Sequence, residues 1–130
     1  TGNGIGEDAG RSPGGSRIIS TVLQVIINVL DYNFNVAEAV ARPRMHHQWL
    51  PDTLSLEPGF SQDTIDILKL KGQNIGRSRT MGSANSILIQ NGIFFGAADP
   101  RWPDARAVAP KISPPKQPST WFPSELKVVF

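Results

Sequence analysis

The sequence contains no cysteine, which excludes disulfides, thiolate metal sites and cysteine nucleophiles. It also lacks any apolar run approaching the ~20 residues of a membrane span. The longest candidate, Ile18 to Leu30, is interrupted by Ser20, Thr21, Gln24 and Asn28. Strong charge of either sign is missing too. The formal net charge is +2, and the 13 basic residues are scattered rather than gathered into a stripe. A chain that binds nucleic acid needs such a stripe to neutralise several phosphates together, so no nucleic-acid partner is expected. Neither an initiator methionine nor a leader opens the sequence, and we expect the native N-terminus to lie upstream.

What remains is an ordinary globular composition, 39% hydrophobic and 18% charged over 130 residues, enough for one core. Residues 1–15 hold six of the 12 glycines and read as a loop. Ser16 is then the expected N-cap of a long helix. Its polar residues Ser20, Gln24, Asn28 and Asp31 recur at helical spacing and form one narrow stripe. Almost everything else on it is Ile, Val or Leu, which predicts a helix buried between layers. Asn33 and Asn35 close it. A short helix over 36–41 ends at Pro43, a loop follows at 45–52, and Thr53 to Glu57 alternates as a strand does. Ser61 caps a third helix, with Ile65 and Leu68 on one face and Gly72 as its stop. Ser86 to Gln90, Asn91-Gly92 and Ile93 to Ala97 form a β-hairpin, because Asn-Gly supplies the positive φ that a tight turn needs. From Trp102 onward neither period survives, and six of the 11 prolines fall there. Three segments result: an atypical glycine-rich start (1–11), a layered α+β body (12–101), and a proline-rich tail (102–130) expected to be disordered or non-native.

The most suggestive constellation is Ser12-Pro13-Gly14-Gly15-Ser16-Arg17, leading into the long helix. Two glycines let backbone N–H groups approach a ligand, and the helix start adds unpaired donors and a positive dipole end. Such a nest holds an anion or the oxyanion of a tetrahedral intermediate; a plain packing turn would use the same residues. No Gly-Lys-Ser/Thr follows, so a nucleotide-binding loop is not indicated. His46-His47 invites a metal or general-base reading, but adjacent side chains diverge and no third ligand is suitably spaced. A structural pair beside Trp49 is the better expectation, and no metal or cofactor is anticipated. Arg42 and Arg44 could grip a carboxylate or lie on a surface. Asp99 before Pro100 reads as a turn residue. Thr1 has the chemistry of an N-terminal nucleophile, but a flexible glycine-rich stretch follows it, so no catalytic role is expected there.

The block from Ser12 to Asp52, with PGGSR and PRMHHQWLPD inside it, closely resembles the C-terminal part of the γ-glutamyltransferase (glutathione hydrolase) small subunit. EPGFSQDTIDILKLKGQNI (57–75), GSANSI (82–87) and GAADPR (96–101) continue the resemblance in order. It implies part of an N-terminal-nucleophile hydrolase fold, an αββα arrangement. It further implies a self-cleaving precursor whose new N-terminal threonine attacks the γ-glutamyl amide of glutathione. The γ-glutamyl group then passes to water or to an amino acid or peptide amine. By the same resemblance Gly14 and Gly15 are the oxyanion-hole and substrate-binding residues. The threonine and the residues gripping the glutamyl α-amino and α-carboxyl groups would lie upstream, so the chain alone should be inactive. Its partners would be γ-glutamyl compounds and that upstream part, the large subunit and the start of the small one. Family precedent implies a periplasmic or secreted setting. A related acylase of β-lactam precursors, or an inactive remnant, would share these motifs.

Overall fold

In a computed structural model of the chain, the described residues are 15–108 and 126–130. They form three helices and five strands: α1 (Arg17–Leu30), α2 (Val36–Ala41), β1 (Met45–His46), β2 (Ser55–Leu56), α3 (Gln62–Leu70), β3 (Ser86–Gln90), β4 (Ile93–Ala97) and β5 (Lys127–Val129). β1 and β2 make a short antiparallel ribbon, with Met45 opposite Leu56 and His46 opposite Ser55. The other sheet runs β4-β3-β5, antiparallel throughout. Its hairpin register pairs Ser86 with Ala97 and Gln90 with Ile93, and the turn Asn91-Gly92 has φ of +51° and +76°, as the sequence requires.

β5 departs from the reading of the tail. Lys127 to Val129 pair with Ile89 to Ile87, so the last residues complete the sheet. Three residues are too few to establish a period of two, which is why the strand is invisible in the sequence. The disorder expected of residues 109–125, like every expectation for residues 1–14, falls outside the described residues.

The core lies where α1 and α2 meet the larger sheet. Val25 and Val29 of α1, Val36, Ala39 and Val40 of α2, and Ala84, Leu88 and Ala97 are all buried together, with Phe34 and Val128 packed against them. α1 buries one face only. Thr21, Val25 and Val29 point inward at steps of four, whereas Ile18, Ile19, Leu23 and Leu30 are each more than half exposed among the described residues. Burial between two layers was the expectation, and a layer on the other side of α1 is not among the described residues.

The polar stripe of α1 is a seam, not a solvated edge. Ser20 bonds to His46 Nδ1 at 2.8 Å, and Asn28 donates to the Ala39 carbonyl at 3.2 Å. Between them the Gln24 amide donates to the Met45 carbonyl at 2.8 Å and accepts from the Met45 N–H at 2.9 Å. One helix face thus secures both α2 and β1. The turn out of α1 is made by Asn33 at φ +54°, which allows the Phe34 N–H to reach back to the Asn28 carbonyl at 3.0 Å. Asn35 then caps α2 by accepting from the Glu38 N–H at 2.9 Å. Ser61 caps α3 in the same way, and Ile65 and Leu68 are its half-buried residues.

Candidate functional site

The glycine-rich entry to α1 is the site the sequence singles out. Gly14 and Thr1 lie outside the described residues. Gly15 is exposed at φ +38°, and a β-carbon built on it would meet nothing within 4 Å. Its glycine is required by the backbone angle, since the space beside it is open. Its carbonyl accepts from the Ile18 N–H at 3.2 Å, which starts the helix.

Ser16 occupies the N-cap position, yet its side chain makes no capping bond to the first turn. The hydroxyl donates instead to Gln48 Oε1 at 2.8 Å. Gln48 Nε2 donates to the Leu50 carbonyl at 3.1 Å, which fixes the amide orientation because a carbonyl can only accept. Oε1 therefore faces Ser16 and His46. His46 Nε2 lies 3.2 Å from that oxygen and must carry the ring proton there, so Nδ1 accepts from the Ser20 hydroxyl. A continuous relay, Ser16–Gln48–His46–Ser20, ties the first turn of α1 to the loop after β1. Arg17 sits half-buried in the same turn.

The two histidines diverge, as expected of neighbours. His46 is buried in the relay; His47 faces outward, with Nε2 at 3.1 Å from Asp52 and Nδ1 accepting from the Trp49 N–H. Among the described residues no three His, Cys, Asp or Glu side chains cluster as a metal would need.

Behind this face lies a charge cluster that the sequence did not announce. Arg44, open to a surface reading from its sequence context, is only 2% exposed, and Asp99, read as a turn residue, is 1% exposed. Arg44 Nη2 meets Asp99 Oδ2 at 2.8 Å and the Val40 carbonyl at 3.0 Å, while Nη1 donates to the Met81 carbonyl at 2.8 Å. Arg101 grips Glu57 in a two-pronged pair: Nε donates to Oε1 at 2.8 Å, and Nη2 donates to Oε2. Arg101 also reaches Asp99 Oδ1 at 3.1 Å, the Val40 carbonyl at 2.9 Å and the Arg42 carbonyl at 2.8 Å. The Val40 carbonyl in the last turn of α2, which a helix end leaves unpaired, accepts from both arginines, and the carbonyl of its C-cap Arg42 accepts from Arg101. Glu57 in addition accepts from the Arg44 N–H at 2.9 Å and the Met81 N–H at 2.6 Å; Asp99 accepts from the Ala84 N–H at 2.8 Å.

The electrostatics follow from that geometry. Burial pushes the Glu57 carboxyl up, but its bonds from Arg101, Met81 and Arg44 outweigh this and hold it below the ordinary range. For Asp99 burial acts in the same direction and is outweighed by Arg44 and the Arg101 and Ala84 amides, so its carboxyl also sits low. Arg44 is lowered by burial, only partly offset by Asp99. Arg101 is raised, since Glu57 and Asp99 more than compensate its burial. Two cations and two anions balance, which makes such a cluster tolerable inside the protein. Arg42 takes no part through its side chain; its guanidinium lies 4.3 Å from the centre of the Phe34 ring.

With these features placed, comparison with known proteins is decisive. The γ-glutamyltranspeptidase family matches residues 9–109. The chain belongs to this family. It is similar to the glutathione hydrolase proenzyme of Escherichia coli (strain K12), 56% identical over 91 residues that make up 69% of this chain and 16% of that protein. The glutathione hydrolase proenzyme of Arthroderma benhamiae is 36% identical over 89 residues, 68% of this chain and 15% of its own length. Among solved structures, a Helicobacter pylori γ-glutamyltranspeptidase variant superposes with a TM-score of 0.65 at 50% identity, covering 70% of this chain and 52% of that one. A Bacillus anthracis transpeptidase, at 18% identity and a TM-score of 0.62, shares the fold. The chain therefore spans about half of that solved chain and about one-sixth of the length of these curated relatives. Its mixed helices and sheets are part of the N-terminal-nucleophile hydrolase fold of these neighbours.

No sequence signal pointed to Glu57, Arg101 or the role of Gln48. Asp99 and Arg44 are 55 positions apart, and Arg101 and Glu57 44. Neither helical nor strand spacing can disclose pairs at such separations.

Proposed function

We propose that this chain forms the oxyanion-stabilising end of a γ-glutamyltransferase or glutathione hydrolase small subunit. The observation that carries the reading is the 56% identity to the Escherichia coli glutathione hydrolase proenzyme over 91 residues. The exposed Gly15 at φ +38°, at the mouth of a 14-residue helix, is consistent with it.

In this reading a threonine supplied upstream attacks the γ-carbonyl of glutathione or another γ-glutamyl compound. As the C–O bond forms, the carbonyl π pair moves onto oxygen. The N–H groups of Gly14 and Gly15 would donate to that oxygen, helped by the positive end of the α1 dipole. Collapse of the intermediate expels the amine and leaves a γ-glutamyl ester on the threonine. Water or an acceptor amine then attacks the ester through the same two amides, releasing glutamate or a new γ-glutamyl amide. The upstream part of the precursor is the macromolecular partner, and the exposed Ile18, Ile19 and Leu23 of α1 give it an apolar surface to cover. A periplasmic or secreted setting goes with the family. Among the described residues no helix is long and apolar enough to cross a membrane.

The test places residues 12–101 in the Escherichia coli proenzyme, replacing the matching segment, and compares Gly15 with Gly15→Val. An oxyanion donor contributes about 10²–10³ in kcat, so the variant should lose about that factor on a γ-glutamyl anilide while remaining folded. Unaltered kcat would remove the glycine pair from the mechanism.

A further inference from the structure

β5 lies outside the region this chain shares with its family. The family matches residues 9–109, whereas β5 is Lys127–Val129. It nevertheless holds one edge of β3, the best-buried strand of the sheet, in which Ser86 and Leu88 are buried and Ile87 and Ile89 half-buried. The fit is incomplete. The register pairs β5 with Ile87 to Ile89 only, so Ser86 and Gln90 at the ends of β3 fall outside it. Val128 packs against the core, but Val129 is 48% exposed. Beside Leu126 a cavity of about 470 Å³ stays open, walled by Val29, Phe34, Val36, Leu88, Phe95 and Leu126. Apolar walls of the core are thus left facing a gap at the place where β5 joins the sheet.

We infer that the β3 edge is the docking site for a strand from the upstream part of the subunit, and that β5 is a placeholder: it closes the edge in the isolated chain and yields it when that strand arrives. This assignment rests on the proposed function for the existence of an upstream part, and not on the glycine pair. A strand edge carries a row of N–H and C=O groups that pair with whatever extended segment reaches them. Because β5 lies beyond the shared region, the shared fold closes this edge with another segment. This chain covers 52% of the solved Helicobacter pylori chain, so the other half of such a chain can supply it. A strand that spans all five positions of β3 and fills the cavity makes more ladder bonds and buries more apolar surface than β5 does, which favours the exchange. Until then β5 has its own effect, since an open edge backed by apolar walls is a template for pairing with a second copy of the chain.

The experiment compares two proteins by hydrogen exchange and mass spectrometry. One is the full 130-residue chain; the other is the Escherichia coli proenzyme with residues 12–130 in place of its matching C-terminal segment. In the chain, residues 86–90 and 126–130 should both exchange about tenfold or more slower than an unstructured peptide. In the proenzyme, residues 86–90 should stay protected while 126–130 exchange freely, because another strand has taken their place. Val128→Pro, which a strand interior does not tolerate, sharpens the contrast. In the chain it should strip protection from residues 86–90 and raise the sedimentation coefficient through self-association. In the proenzyme it should leave that protection intact and turnover of a γ-glutamyl anilide within about twofold. Residues 126–130 still protected in the proenzyme, or already unprotected in the chain, would overturn the placeholder role. So would a 12–130 exchange that is inactive beside an active 12–101 exchange, since the tail would then obstruct the edge instead of yielding it. If both exchanges are inactive, the proposed function fails and the docking site with it; an active 12–130 exchange with β5 still protected removes the placeholder alone.

Discussion

Replacing Arg44 by methionine probes the buried charge cluster at its most enclosed point. Methionine keeps an unbranched apolar stem of similar reach, so the change removes the guanidinium with little void. Three bonds disappear: to Asp99 Oδ2 at 2.8 Å, to the Met81 carbonyl at 2.8 Å and to the Val40 carbonyl at 3.0 Å. Both partners of the ion pair are essentially inaccessible, at 2% and 0% side-chain exposure, so solvent cannot substitute. Leaving one charge of a buried pair unmatched costs about 3–5 kcal/mol. Asp99 retains the Ala84 and Arg101 amides and Arg101 Nη1, which places the expected loss near the lower end, about 3 kcal/mol. Asp99→Asn keeps the shape and should cost about 2 kcal/mol, the scale of one charged hydrogen bond. If the two groups stabilise the fold through each other, Arg44→Met/Asp99→Asn together should cost at least about 1 kcal/mol less than the two single losses added. Urea unfolding of the full chain, followed by tryptophan fluorescence, gives all three values. Strict additivity, or an Arg44→Met loss below about 1 kcal/mol, would refute the idea that this pair organises the interior.

Acid should destabilise the fold through the same cluster. Glu57 and Asp99 are both held low when folded, so the unfolded chain binds more protons and stability rises with pH. Their contribution is present above the ordinary carboxylate value of about 4 and is lost as pH falls below it; urea midpoints between pH 6 and pH 2 should drop, and less steeply in Glu57→Gln. Gly59→Ala should lower the thermal midpoint, because its backbone is at φ +115° and a β-carbon would come within 2.7 Å of Pro43 Cγ; a loss of about 1–3 kcal/mol is expected. Asn91→Ala places an alanine at φ +51° and should cost about 1 kcal/mol by the same measurement. Ile19→Lys and Leu23→Lys, on the exposed apolar side of α1, should reduce self-association of the chain in sedimentation velocity while leaving its circular dichroism unchanged.

The local elements were legible because each rests on a local cause. The hairpin followed from Asn91-Gly92, the second helix from its length before Pro43, and the start of α3 from Ser61. The polar stripe on α1 was also visible, but not its purpose. Ser20, Gln24 and Asn28 read only as a narrow polar stripe because nothing nearby in the chain says that Met45, His46 and Ala39 will lie against them. Asp99 was misread for a related reason. A residue before proline has a strong local explanation as a turn, and only the return of Arg44 and Arg101 to it reveals a buried anion. Ser16 was placed at the right position with the wrong partner, since capping is the local default and Gln48 lies 32 residues away. The glycine pair entered through resemblance more than through spacing, as two glycines before a helix serve packing turns equally well.

The Gln24 amide does for Met45 what a neighbouring strand would do, matching both its donor and its acceptor. A ribbon of only two residues per strand thereby has one margin sealed by a helix, leaving no open backbone there for a foreign strand to join. Shortening that side chain to alanine would uncover a template for intermolecular pairing in the middle of the domain, and the first symptom would be aggregation rather than unfolding.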